Sequence, residues 1–455
     1  MAVKKYTATK DNTITNAFGE VFDTRLTGTN AGLADVVEVF SIFGQTNASA
    51  SQKENSRVLI EFPVSTISSE ITDGTIESGS NFVLRLFSTE QPVTPPKEFT
   101  LVIAAISRSW SEGTGPDLAN KDYTGASNWV SSDSSTSWTT AGGDYHDTPR
   151  FTASFITGEE DISVDVTTLV NEWIEGTKQN YGFGIFLTSS QENVSASYYT
   201  KRFYSRTSEY VIKRPVLESR YDDAKKDNAS TFFLSSALAP ANDNLNNLYF
   251  GSTAPAGSKL LLPVGGGVTA TGDVNITGSH VSTGIYSASF AYASSSITKL
   301  FGVWHSGSTE YATGSAVTVS TFDSLDNRDF SDFTILPVNV KDTYSADDKA
   351  RIKIYARPKD WSPTIYPSGT QTPNSTIIEE LYYKVTRTID GLEFIPYGTG
   401  SGNGAFTKTS YDAEGNYFEL DFSQFETGYK YRANFVIKKD LNFIEQEDTI
   451  EFRVD

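Results

Sequence analysis

The residues of this chain best suited to chemistry lie between Trp110 and Asp147. Trp110, Trp129 and Trp138 fall in a stretch dense in Ser, Thr and Gly. An aromatic face open to solvent stacks on the apolar C–H face of a sugar ring. These three, with Tyr145, are therefore candidate ligand-binding residues. The competing expectation is structural, because Trp is highly buried on average; the same rings would then cover one end of a sandwich or pack under loops. Gly142-Gly143-Asp144-Tyr145-His146-Asp147 gathers two carboxylates and an imidazole, and Glu159-Glu160-Asp161 follows nearby. Calcium takes roughly six to eight oxygen ligands, which Asp-rich loops supply. Asp144 and Asp147 are candidate ligands for a structural calcium ion, against the alternative of solvated turns, since no loop has EF-hand spacing. No other cofactor is expected.

Catalytic machinery is harder to find, and no catalytic residue is assigned. The three histidines, His146, His280 and His305, lie far apart, with no HExxH-like spacing. With no cysteine in the chain, disulfides, thiol nucleophiles and Cys-ligated metals are excluded. Gly265-Gly266-Gly267 and Gly398-Thr399-Gly400-Ser401-Gly402-Asn403-Gly404 precede no helical pattern, so neither reads as a phosphate cradle; the second reads as a hairpin tip. Glycoside hydrolysis needs two carboxylates facing each other across a cleft. With 56 acidic residues such a pair can exist, but nothing in the sequence locates it. The chain is read as a non-enzyme.

The elements that must position these residues are strands. Val58, Ile60, Phe62 and Val64 share one face by period-two alternation, and Tyr181, Phe183, Ile185 and Leu187 do the same, with Gly182 and Gly184 opposite. Tyr429 to Ile437 and Ile450 to Val454 repeat the pattern. Each predicts a strand with one dry and one wet face. One short helix is predicted over 166–175, capped by Asp165 and ended by Gly176, with Leu169, Val170 and Trp173 on its buried stripe. A polar, broken stretch over 222–247 reads as a linker, with a short strand over 231–234 inside it. A Gly/Ser/Thr-rich module follows over 248–330, and a strongly patterned one over 331–455. The fold class expected is all-β: an N-terminal jelly-roll β-sandwich over 1–221 followed by two smaller immunoglobulin-like β-sandwich modules.

Charge narrows the partners. The formal net charge is −19, with 37 Lys and Arg and no basic cluster to neutralise phosphates, which argues against nucleic acid. No stretch approaches the roughly 18 apolar residues of a membrane span. The N-terminal Met-Ala-Val-Lys-Lys lacks the apolar core of a signal peptide. Synthesis in a cytosol without an obvious export route is the expectation.

The first ~220 residues resemble the DNRLRE family of bacterial surface and carbohydrate-binding β-sandwich modules. The matching features run in order: Asp11-Asn12-Thr13-Ile14, the Thr29-Asn30-Ala31-Gly32 turn and the strand Ser56-Arg57-Val58-Leu59-Ile60-Glu61-Phe62. Then come Trp110-Ser111-Glu112-Gly113, Val164-Asp165-Val166 leading into Trp173, Tyr181-Gly182-Phe183-Gly184, and Arg214-Pro215-Val216-Leu217-Glu218. The resemblance implies a jelly roll, and surface attachment or glycan binding. The whole arrangement resembles structural proteins of marine tailed phages. It implies a virion component of capsid, neck or tail, in several symmetric copies against other virion proteins, with a host-surface glycan as a further partner. The alternatives are a bacterial surface or secreted carbohydrate-binding protein and a tail-associated polysaccharide-degrading enzyme.

Overall fold

The computed structural model describes residues 2–19, 24–43, 53–90, 95–117, 126–194, 197–229, 231–235, 244–251, 261–266, 274–282, 285–291, 299–306, 309–314, 317–319, 333–359, 375–439 and 442–455. It is 47% strand and 9% helix. The expected all-β class, a large sandwich followed by two smaller ones, is the architecture observed.

Among the described residues eleven strands build the first module: β1 Val3–Thr7, β2 Lys10–Thr15, β3 Val36–Phe43, β4 Lys53–Glu61, β5 Asn81–Leu86, β6 Phe99–Ile106, β7 Tyr145–Phe155, β8 Ile162–Asp165, β9 Phe183–Leu187, β10 Tyr199–Tyr204 and β11 Val216–Arg220. They form a four-stranded sheet, β1-β11-β5-β8, and a seven-stranded sheet, β10-β3-β4-β9-β6-β7 with β2 on β4. The inner faces meet through the side chains that alternation placed on dry faces: Val58, Ile60, Phe62, Phe183, Ile185 and Leu187 share one core with Leu84 and Leu217. Two helices close its end, α1 Val64–Thr72 and α2 Thr167–Ile174, and a single turn, α3 Ser189–Glu192, follows β9. The predicted helix is α2. Asp165 is the last residue of β8, yet its carboxylate still accepts the Thr167 N–H at 2.9 Å, while Leu169, Val170 and Trp173 are buried.

Among the described residues the middle module carries eight short strands: β12 Asn246–Gly251, β13 Leu261–Gly266, β14 Val274–Thr277, β15 Ser279–Ser282, β16 Ile285–Phe290, β17 Lys299–Ser306, β18 Thr309–Thr313 and β19 Val317–Thr318. They form two sheets around Leu248, Tyr286, Phe290 and Trp304. Phe232, from the expected linker, is fully buried in that core. Residues 225–227 of the same stretch pair with Tyr411 of the third module, so this segment is stitched at both ends. The expected boundary between the second and third modules at 330–331 lies outside the described residues, as does Gly267.

The third module comprises β20 Phe333–Pro337, β21 Thr343–Tyr344, β22 Lys349–Pro358, β23 Leu381–Arg387, β24 Glu393–Ile395, β25 Ser410–Asp412, β26 Gly415–Asp421, β27 Tyr429–Lys439, β28 Asn442–Glu445 and β29 Ile450–Val454. One sheet runs β20-β22-β26-β25 and the other β21-β29-β27-β23-β24 with β28 on β27. Lettering β20, β22, β23, β25, β26, β27 and β29 as A to G gives A-B-E-D facing G-F-C, the immunoglobulin arrangement. A tyrosine corner accompanies it: near the start of β27 the Tyr431 hydroxyl donates to the Glu426 carbonyl and accepts from the Glu426 N–H, both at 3.0 Å. The expected hairpin tip after β24 is instead a 3₁₀ turn at Gly402–Ala405, and its Asn403 donates to the Gly79 carbonyl of the first module.

First and third modules therefore touch. Ala2 and Val3 lie in the third module's core. The Lys5 N–H donates to the Gln424 side chain at 3.0 Å, and the Arg220 guanidinium stands 4.8 Å from the Phe406 ring. Lys5 and Glu218 are register partners on neighbouring strands, with Arg220 two residues further along β11. The third module covers this charged face.

Candidate functional site

The other sheet of the first module is covered as well, by its own chain. Between β6 and β7 the segment folds back across the outer face of β4 and β2. Trp110, Trp129 and Trp138 pack there against Ile14, Leu59 and Ile106 as a second, smaller core. Their relative exposures are 4%, 8% and 5%, which leaves no indole face open to a sugar ring. The indole N–H groups are also committed, Trp110 to the Tyr181 carbonyl and Trp138 to the Asn128 carbonyl, each at 2.8 Å. The stacking role expected of these three residues is corrected: they hold the loop to the sheet. The physical reason is that Leu59 and Ile106 put apolar side chains on the outer face, and the indoles bury that area.

Beside this cluster lies an open cleft of about 630 Å³, lined by Arg57, Arg108, Asp144, Tyr145, Phe186 and Glu192 among others. Arg57 is its centre. The guanidinium donates from Nε to Glu192 Oε1 at 2.8 Å and from Nη2 to Oε2 at 2.7 Å, a bidentate pair, and from Nη1 to the Gly142 carbonyl at 3.0 Å. Its carbon lies 5.4 Å from the Trp129 ring, 5.7 Å from Tyr145 and 5.0 Å from Phe186. Burial acts to lower the Arg57 pKa, but the Glu192 hydrogen bonds and the Tyr145 and Glu192 electrostatics together raise it.

Tyr145 opens β7 and reaches across to β9. Its ring rests on Gly184, where an added Cβ would stand 2.0 Å from the ring carbon Cε1, so this glycine is the seat of the tyrosine. The hydroxyl donates to the Gly142 carbonyl at 2.8 Å. Burial pushes its pKa up to about 12 against the opposing Arg57 charge. Of the four expected ligand-binding residues, Tyr145 alone lines the cleft.

Asp144 also lines it, with its oxygens spoken for. The carboxylate accepts the Thr139 and Thr140 N–H groups, each at 2.9 Å, and pairs with Arg108 Nε at 3.1 Å. Burial acts to raise its pKa, but those backbone bonds and Arg108 hold it below the usual value. Asp147 points elsewhere: its side chain is 95% exposed and pairs with Arg150. The expected calcium ligands are not brought together around a common centre. Among the described residues no group of three His, Cys, Asp or Glu is placed to hold a metal ion. Asp144 is instead the cap of the loop that forms one wall.

The cleft thus offers paired guanidinium and carboxylate groups, the hydroxyls of Thr139, Thr140 and Ser189, and the Phe186 ring. Such walls suit a hydroxyl-rich ligand, which exchanges donors and acceptors with them. Arg57 carried a visible signal, a cation directly before the apolar run Val58-Leu59-Ile60. Glu192 carried none, because it is 135 positions away from its partner.

The fold defines the chain as an array of β-sandwich modules. No family model matches it, and no curated protein matches it. Similar solved structures include the tandem Ig repeats of Dlar, at 8% identity over 51% of this chain and 95% of that one, with a TM-score of 0.16. The N-terminal Ig1-2 module of a Drosophila receptor protein tyrosine phosphatase is similar at 9% identity over 51% and 97%, with the same TM-score of 0.16. The immunoglobulin-like character of the third module lies in its strand order and its tyrosine corner.

Proposed function

We propose that this chain is a structural and adhesive component of a tailed-phage particle, and not an enzyme. The observation that carries the reading is the seam between first and third modules. A particle component must keep its shape under load, so its modules are best held by burial and not by flexible tethers. Here one outer sheet face is buried against a partner module, and the connecting segment is paired at both ends. Copies arranged around a symmetric particle, against other virion proteins, suit such a body.

The cleft supports the adhesive part, with a host-surface glycan as its ligand. Its titratable groups are poor acid–base catalysts at neutral pH: Tyr145 sits near 12, Asp144 is lowered and Arg57 is raised. That favours binding over bond cleavage. The test is mass spectrometry of purified particles with immunogold labelling. Recovery in fixed stoichiometry with a labelled particle surface is expected, and absence from particles refutes the reading. The cleft also fits a second reading, a bacterial surface carbohydrate-binding protein. Glycan-array binding by a chain that labels cell envelopes but no particle would favour it.

A further inference from the structure

The seam contains an uneven set of charges. Glu218 of β11 is 1% exposed and faces three cations. Arg220 Nη2 lies 2.6 Å from Oε2, while Arg85 Nη1 of β5 and Lys5 Nζ of β1 lie 3.2 Å and 3.8 Å from Oε1. The side chains of Lys5, Arg85 and Arg220 are only 14%, 13% and 16% exposed. The third module answers with neutral groups: the Phe394 carbonyl, which accepts from Lys5 Nζ at 2.5 Å, the Phe394 ring 3.4 Å away, the Gln424 amide and the Phe406 ring. Arg85 Nε is buried without a hydrogen-bond partner. Asp165 of β8 borders only the adjoining cleft, with Arg220 and Asn403. One carboxylate therefore serves three largely buried cations, where water screens only weakly.

We propose that this seam is a separable latch between the first and third modules, and that the charge on Lys5 sets its strength. Lys5 is the one cation of the three that can shed its proton, since a guanidinium does not. Closing the seam strips water from the ammonium and sets it beside Arg85 and Arg220. Burial first, and then these two cations, against Glu218, lower its pKa from 10.5 to about 7.

The sign follows from linkage. Below about pH 7 Lys5 is protonated whether the seam is open or closed, so the latch is at its weakest and independent of pH. Above it the open form alone keeps the proton, up to the ordinary lysine value. Each further pH unit then favours closure by about tenfold. The latch stands whether or not the chain is a particle component.

Because the chain has no cysteine, Thr66→Cys in α1 and Asp347→Cys in the third module, both exposed, carry a unique fluorescent donor–acceptor pair in the full-length protein. Urea titrations then follow energy transfer for the seam and far-UV circular dichroism for the sandwiches. Energy transfer is expected to fall first, with a closing constant flat below about pH 7 and rising about tenfold per unit above it. Lys5→Met should abolish the slope. Arg85→Gln removes a like charge and should move its onset to higher pH; it decides the matter if Lys5→Met does not fold. A slope that survives Lys5→Met, an onset unmoved in Arg85→Gln, or loss of both signals together at every pH overturns the proposal.

Discussion

Glu192→Ala is the most direct probe of the cleft. Glu192 sits in α3, contributes both oxygens to Arg57, and has a side chain 10% exposed against 17% for the arginine. Its removal deletes two charge-assisted hydrogen bonds and strands a guanidinium among three aromatic rings. Breaking a buried pair by removing one partner costs about 3–5 kcal/mol. Arg57 keeps the Gly142 carbonyl and its ring faces, and the pair is not wholly dry, so about 2–3 kcal/mol is the expected loss. The double variant Arg57→Met, Glu192→Ala removes the stranded charge as well. It should recover part of that loss, giving a coupling of about 1–2 kcal/mol. Urea denaturation followed by indole fluorescence measures both, because Trp110, Trp129, Trp138 and Trp173 all report on this module. A single variant costing under about 0.5 kcal/mol, or a cycle with no coupling, would refute the view of Arg57 as the cleft's buried anchor.

Three further outcomes are expected. Gly182 has φ +86° and would place a Cβ 2.1 Å from the Ile60 carbonyl oxygen, so Gly182→Ala should cost about 2 kcal/mol or more in thermal denaturation. Asp11 is 1% exposed, and burial foremost, with Glu112, raises its pKa from 3.8 to about 7 against the Arg206 N–H. The folded state then holds that proton more tightly than the unfolded one, so first-module stability should fall by about tenfold in the folding constant per unit from pH 4 to 7 and level off above. Asp11→Asn should remove that component of the pH dependence of urea midpoints. Calcium addition or chelation should leave the first module's melting temperature unchanged, since the Asp144 oxygens are occupied by Thr139, Thr140 and Arg108; a rise with calcium would restore the metal reading.

Periodicity made the strands legible. Val58, Ile60, Phe62 and Val64 lie in one core with Phe183, Ile185 and Leu187 as their alternation required, whereas Tyr181, expected on that same face, packs with the tryptophans of the outer cluster; the Leu169–Trp173 stripe formed the helix that closes the core. What alternation does not carry is the identity of whatever covers the second face. Leu59 was already out of place on a wet face, and the tryptophans that bury it lie 51 to 79 positions further on. The cleft suffered in the same way. Tyr145 and Asp144 were found because they share a short segment, whereas Arg57, Phe186 and Glu192 come from β4, β9 and α3. No local pattern joins them.

The seam sharpens the point. Along β11, Val216, Glu218 and Arg220 share a face opposite Leu217, the pattern of a solvated sheet surface. A polar face is solvated only if nothing else satisfies it, and the third module supplies a carbonyl, an amide and two rings. The tolerance has a limit set by charge balance: with one carboxylate to three cations, the face is covered at a cost that depends on proton uptake. A fully apolar face would have joined the modules without that dependence. Charged seams therefore read as surface in a sequence and behave as adjustable interfaces in the folded chain.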